Sequence, residues 1–186
     1  MYLFLIPLVL GFALAGASAF TAAYSRRFGE RGGRTATSIL RNVLGIPLWL
    51  VGFIMAWRAP APPLWEGGAA IALVAWVLIA AGSVPVIWGH LQLGWRTHMP
   101  SVRDTLVRHG LYAHVRHPIY AGSVPMFVGL ALLNPTMTVV AACVIAIGWL
   151  GVQARLEEID LVQRLPAYRG YMREVPRFVP RWGRRP

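Results

Sequence analysis

Residues 106–122 bring Arg108, Arg116, His109, His114, His117, Tyr112 and Tyr120 to the entry of an apolar run. Polar and ionisable groups at such a place are costly in a bilayer, and they mark function. His117 precedes Pro118, which disfavours helical geometry at His117 and pre-sets it at Pro118, so a helix is expected to begin there. The amides of Ile119, Tyr120 and Ala121 would then face outward at the positive end of a helix dipole, with Arg116 and His117 beside them. That arrangement suits a carboxylate or a phosphate. Gly122 leaves its flank open to a flat ligand or a close helix, and Pro125 should distort the helix at Ala121. A second group, Glu157 and Glu158 beside Arg155, has the chemistry to hold a cation or hydroxyls. Adjacent helical residues differ by about 100° in direction, so one of the two glutamates at most should face a given neighbour squarely. The alternative for both is a solvated face paired with Arg155, Gln163 and Arg164.

Other chemistries find less support. His109, His114 and His117 do not share one helix face, and Asp104 is the only acid near them, so no metal is expected. Cys143 is the only cysteine and sits in an apolar run, where it reads as a small buried hydrophobe. The sequence contains neither a glycine-rich dinucleotide fingerprint following a strand nor a nucleophile elbow with its partners. Trp88, His90 and Trp95 read as interfacial anchors.

The elements that must position these residues are membrane helices. The 186 residues are 56% hydrophobic and 13% charged, which lies outside the soluble range. All eighteen basic residues are arginine, against seven acids, for a formal charge of +11. They gather in loops beside apolar runs, a pattern that orients a membrane protein and meets anionic lipid, so nucleic acid is not an expected partner. Residues 1–186 are read as one all-α, polytopic domain with about five spans, near 2–24, 39–57, 69–90, 118–133 and 136–153. Ala17-Ser18-Ala19 resembles a cleavage site, but no basic region precedes it and Arg26 and Arg27 follow it, so the first run is expected to be retained.

The loop after it, with Arg26, Arg27, Arg31, Arg34 and Arg41, is assigned to the cytoplasm and the N-terminus to the outside; Arg58 is the only arginine placed outside. Pro85 should kink the third span near Ala81. Asn134-Pro135 makes the last two spans a helical hairpin. Beyond Gln153 the last helix is expected to leave the bilayer as an amphipathic extension, with Leu156, Ile159, Val162 and Leu165 on its apolar face and Pro166 closing it.

Three pieces in order carry a resemblance. They are Leu106-Val-x-x-Gly110-x-Tyr112-x-x-Val115-Arg116-His117-Pro118-x-Tyr120-x-Gly122, then Glu157-Glu158-x-x-Leu161, then Tyr168-x-x-Tyr171-x-x-x-Val175-Pro176-Arg177-Phe178-Val179-Pro180. Over roughly residues 90–180 the chain resembles the isoprenylcysteine carboxyl methyltransferases and their relatives, the phospholipid methyltransferases. One departure is Leu111, where the family usually has proline. The resemblance implies S-adenosylmethionine as cofactor, bound at the cytoplasmic face of a small helical membrane domain. It assigns Gly110, Tyr112, Arg116, His117, Tyr120 and Gly122 to the cofactor, with Glu157 and Glu158 completing the pocket.

The acceptor would be a lipophilic small molecule or a membrane lipid, entering sideways from the bilayer. A carboxylate acceptor would be oriented by Arg155 or Arg169; a lipid amine would lose its proton to His114 or a glutamate. Arginine-only usage and short termini point to a bacterial inner membrane, so the family name need not describe the substrate. The competing readings are an NADPH-dependent membrane sterol or steroid reductase and a non-enzymatic membrane adaptor. The oligomeric state is open.

Overall fold

The computed structural model describes residues 2–181. It is all-helical: α1 (Leu5–Ala17), α2 (Thr21–Ser38), a π-helical stretch (Ile39–Gly45), α3 (Ile46–Arg58), α4 (Ala69–Leu93), α5 (Pro118–Leu133), α6 (Met137–Arg164) and α7 (Tyr168–Glu174). Among the described residues, three helical rods are long and apolar enough to cross a membrane, Thr21–Arg58, Ala69–Thr97 and Met137–Arg164. Two shorter apolar helices, Tyr2–Ala17 and Pro118–Leu133, pack among them. On α4 the exposed residues Leu73, Val77, Val84, Ile87 and Leu91 are apolar and share one side, as a lipid-facing surface requires.

Two expectations need correction. The first apolar run does not continue to residue 24: α1 ends at Ala17, the hydroxyl of Ser18 bonds the carbonyl of Ala15, and a new helix starts at Thr21. The arginine-rich stretch that follows is helical rather than a loop, bent at Gly29, whose φ of 73° belongs to the left-handed region. Asp160 of α6 anchors this start by accepting the Ala22 amide at 2.7 Å. That contact spans most of the chain, so no local pattern announces it.

The α5–α6 hairpin turns at Asn134–Pro135 as expected, yet α5 lies most intimately along α4. A Cβ on Gly122 would stand 2.5 Å from the Gly82 carbonyl oxygen and 2.6 Å from Cγ of Pro85. A Cβ on Gly82 would in turn stand 2.4 Å from the Gly122 carbonyl oxygen. The two helices therefore touch backbone to backbone, the close approach that small residues permit in membranes. Phe4, Leu8 and Phe12 of the N-terminal segment, Ala56 of α3 and Ala142 and Ala146 of α6 form the main apolar core.

The extension of α6 keeps Leu165 buried with Val162 packed beside it, but it buries two acids as well. Glu158 and Asp160 are 1% and 2% exposed, whereas Ile159 is 39% exposed. Here the interior is a polar site, and the acids turn toward it.

Candidate functional site

A cavity of about 390 Å³ lies between the helices, within the size range of small-molecule sites, roughly 300–1,000 Å³. Its polar end is built where α5 starts, where α6 leaves its apolar stretch and where the π-helical stretch passes. Glu157 is the meeting point. Its Oε1 accepts from Tyr120 Oη at 2.6 Å, Arg41 Nη2 at 3.0 Å and Gln153 Nε2 at 3.1 Å. Nδ1 of His117 stands 3.8 Å from its Oε2, and the imidazole stacks on the Tyr120 ring, with centroids 5.4 Å apart.

Glu158 sits behind this group rather than in it. It is not among the residues that line the cavity. Arg116 reaches its Oε1 through Nε at 3.0 Å and Nη2 at 2.9 Å, and His117 Nε2 lies 3.2 Å from the same oxygen. Arg177 completes the cluster, with Nε 3.0 Å from Oε1 and Nη2 2.6 Å from Oε2. Donating to the Glu158 carboxylate raises the Arg177 guanidinium above its ordinary pKa. Neither glutamate is on a solvated face, and Glu157 is the one that lines the cavity.

Arg116 also donates to the carbonyls of Met172 and Val175, at 2.8 and 2.6 Å. The amides of Arg116 and His117 bond the carbonyls of Pro176 and Arg177, at 2.9 and 3.1 Å. The C-terminal segment is thus laced across the start of α5. Leu165, Tyr168, Tyr171 and Val175 form its own small core. Tyr171 donates to the Tyr112 carbonyl at 2.6 Å, and burial pushes its phenol up to about 12; burial likewise raises Tyr112 and Tyr168.

Of the residues singled out in the sequence, Tyr112, Arg116, His117, Tyr120 and Glu157 line the cavity. Gly122 serves the α4–α5 contact instead. Gly110 holds φ at 59° beside Gln92, where a Cβ would fall 1.6 Å from Nε2, so it shapes the loop. The free-amide anion site at the start of α5 is reduced, since the Ala121 amide bonds the His117 carbonyl at 2.9 Å. Arg155, Arg169 and His114 are exposed and do not line the cavity. Trp88 and Trp95 are exposed, while His90 lines the cavity and its Nδ1 lies 2.7 Å from the Val86 carbonyl. Among the described residues no group of three or more His, Cys, Asp or Glu could hold a metal ion.

Sequence reading missed Arg41, Gln153, Trp149 and the pair Asp160–Arg164. Arg41 stands among similar arginines in the sequence, and its position at the edge of an apolar run is the available signal. Besides Glu157, it donates to Ser18 Oγ at 3.1 Å and to the Thr97 carbonyl at 2.8 Å. Arg164 bridges Asp160 at 2.6 Å and Asp104 at 3.2 Å, fixing the loop that roofs the cavity.

Deeper along α6 the lining becomes aromatic and apolar: Phe12, Trp49, Phe127 and Trp149. Phe12 stacks between Trp49 and Trp149, at centroid distances of 6.0 and 5.7 Å. The apolar helices surround a cavity that is ionic at one end and aromatic at the other.

A bundle of this kind with this motif order has a family. The phospholipid methyltransferase model matches residues 70–165, just over half of the chain, and the chain belongs to that family of integral membrane methyltransferases, which the isoprenylcysteine carboxyl methyltransferases resemble. It is 24% identical to the cobalt-zinc-cadmium resistance protein CzcN of Cupriavidus metallidurans, over 77% of this chain and 66% of that protein. It is 28% identical to methanethiol S-methyltransferase of a Pseudomonas strain, over 82% of this chain and 60% of that protein. The match therefore spans less than two thirds of either relative. No solved structure matches the chain.

Proposed function

We propose that the protein transfers a methyl group from S-adenosylmethionine to a lipophilic acceptor at the cytoplasmic face of a bacterial inner membrane. The observation that carries this reading is the position of Glu157, a carboxylate lining a cavity between the helices and held by Tyr120, Arg41 and Gln153. The polar end suits a zwitterionic cofactor. Glu157 offers a counter-charge to its cationic centres or an acceptor for its ribose hydroxyls, and His117 offers a partner for its carboxylate.

When bound, the cofactor supplies an electrophilic methyl group on a sulfonium. The chain's own residues have the tasks of alignment and of excluding water. Tyr120 and Gln153 fix the Glu157 carboxylate from two helices, so it need not reorganise when a cation arrives. The C-terminal segment, tied to Arg116 and His117, covers the polar end.

The acceptor classes consistent with the family's name and with the relatives are a carboxylate, a lipid headgroup amine and, from the name of the Pseudomonas relative, a thiol. Family membership favours methyl transfer over the reductase alternative. Calorimetric titration with S-adenosylhomocysteine tests the assignment: the protein should bind it and the Glu157→Ala protein should lose at least about a hundredfold in affinity. Unchanged affinity in a folded variant would overturn the reading. Incubation with methyl-labelled cofactor and a membrane lipid extract would then identify the acceptor.

A further inference from the structure

A second cavity, of about 350 Å³, lies between α2 and the segment that follows α4. Three arginines line it, Arg34, Arg96 and Arg103, together with two acids, Glu30 and Asp104. Both acids are already spent. Glu30 takes Arg103 Nε at 2.7 Å through one oxygen and the Ser101 hydroxyl at 3.1 Å through the other. Asp104 takes Arg164 Nη1 at 3.2 Å and the Ser101 amide at 2.8 Å, both through Oδ2. Arg34 and Arg96 are left with no carboxylate among the described residues, and Arg96 donates one N–H to the Thr105 carbonyl at 3.1 Å. Two uncompensated guanidinium groups on one cavity call for an anion with several acceptor oxygens, and a phosphate is such a group.

The neighbouring surface identifies where that phosphate comes from. The exposed apolar side of α4 continues through Val84, Ile87 and Leu91. Trp95, 79% exposed, stands just past the end of the helix and lines the second cavity. An exposed indole at the end of a lipid-facing helix marks the headgroup level of a bilayer. The cavity therefore opens at the depth of the phospholipid phosphates, with an apolar wall on α4 for the acyl chains below them.

The two cavities are also joined. Arg96 and Asp104 line both, and Arg164, besides holding Asp104, donates to the Ser101 carbonyl at 2.6 Å. An anion shared by Arg34 and Arg96 would fasten residues 96–105, which roof the larger cavity, to α2.

We propose that the second cavity binds the phosphate of an anionic phospholipid such as phosphatidylglycerol, with Arg34 and Arg96 as its ligands, and that the bound lipid holds residues 96–105 in place. The lipid here is a bound partner and not the methyl acceptor.

The experiment places the full chain in nanodiscs made of equal parts phosphatidylcholine and phosphatidylglycerol and counts the lipids it retains on release by native mass spectrometry. The parent should retain phosphatidylglycerol in preference. An Arg34→Gln, Arg96→Gln double variant should lose about thirtyfold of that preference, about fivefold for each arginine near anionic lipid. Arg27→Gln with Arg31→Gln removes the same charge from exposed positions outside the cavity and should keep the preference. Equal loss in the two double variants would reduce the effect to general attraction by a basic surface and overturn the proposal. Arg34→Lys with Arg96→Lys keeps the charge and should recover most of the preference, which a misfolded pocket would not; a lysine pair as poor as the glutamine pair would also overturn it. Hydrogen exchange gives the second readout. Phosphatidylglycerol should slow exchange across residues 96–105 in the parent and not in the Arg34→Gln, Arg96→Gln protein, and no slowing in the parent would remove the claim that the lipid holds the roof. Millimolar inorganic phosphate, added to pure phosphatidylcholine nanodiscs at fixed ionic strength, should not reproduce the slowing; if it does, the occupant is free phosphate and the lipid assignment falls.

Discussion

The segment matched by the family, residues 70–165, and the N-terminal segment before it contribute to the cavity in different ways. The matched segment supplies most of the ionic chemistry, His117, Tyr120, Glu157 and Glu158, within two helices that pack as a hairpin. The N-terminal segment supplies Phe12 and Trp49 to the aromatic chamber and a single cation, Arg41, to the polar end. A polar site must be satisfied group by group, so its residues are tied to one another across short, defined distances. An apolar wall needs only shape and volume, and any pair of helices at the right distance can furnish it.

The sharpest way to test this division is to break each side in turn. Glu158→Ala should have the largest effect, because it strips Arg116, His117 and Arg177 of their shared partner. Removing one member of a buried ionic cluster costs about 3–5 kcal/mol, so the protein should unfold at markedly lower temperature and lose the C-terminal segment's protection from proteolysis. A melting temperature equal to that of the parent protein would show that the cluster is not structural. Arg41→Met comes next. It removes an ionic link from the N-terminal segment to Glu157, so affinity for S-adenosylhomocysteine should fall about tenfold, with a smaller fall in melting temperature than in Glu158→Ala because both partners keep some access to solvent. If affinity holds, the N-terminal segment contributes walls only.

The smallest effect is expected at Tyr171, whose hydroxyl holds the Tyr112 carbonyl. Tyr171→Phe should cost about 1 kcal/mol, seen as a modest fall in melting temperature. The same bond carries a pH signature. The ordinary phenol value is 10.0 and burial raises this one to about 12. The neutral form is therefore favoured by folding, and its contribution is fully present below pH 10 and lost as the pH rises toward 12. Melting followed across that range should show a steeper fall for the parent than for the phenylalanine variant.

Much of the site was legible because its chemistry was out of place. Arginine and histidine beside apolar runs have few uses in a membrane except function, and that argument singles out Arg116 and His117, which line the cavity; Tyr120 enters through the family resemblance, and the sequence leaves open which of Glu157 and Glu158 faces inward. At Gly122 the sequence leaves a flat ligand and a close helix as alternatives, and in the fold it is the Gly82 backbone that lies against it. Arg155, Arg169 and His114 had the right chemistry, and nothing in their spacing revealed that they would end at the surface. Arg41 was hidden among similar arginines for the converse reason.

Composition and periodicity by themselves determined that the chain is a bundle of apolar helices, where its hairpin turns and which residues carry charge, since each of these depends on neighbours within a few turns. Only the tertiary structure decided that Glu157 lines the cavity while Glu158 locks the C-terminal segment. It also decided that a residue 116 positions earlier, Arg41, neutralises the first of them. Those outcomes depend on how far apart helices lie and which side each presents. That is set by packing between segments distant in sequence, and no local pattern encodes it.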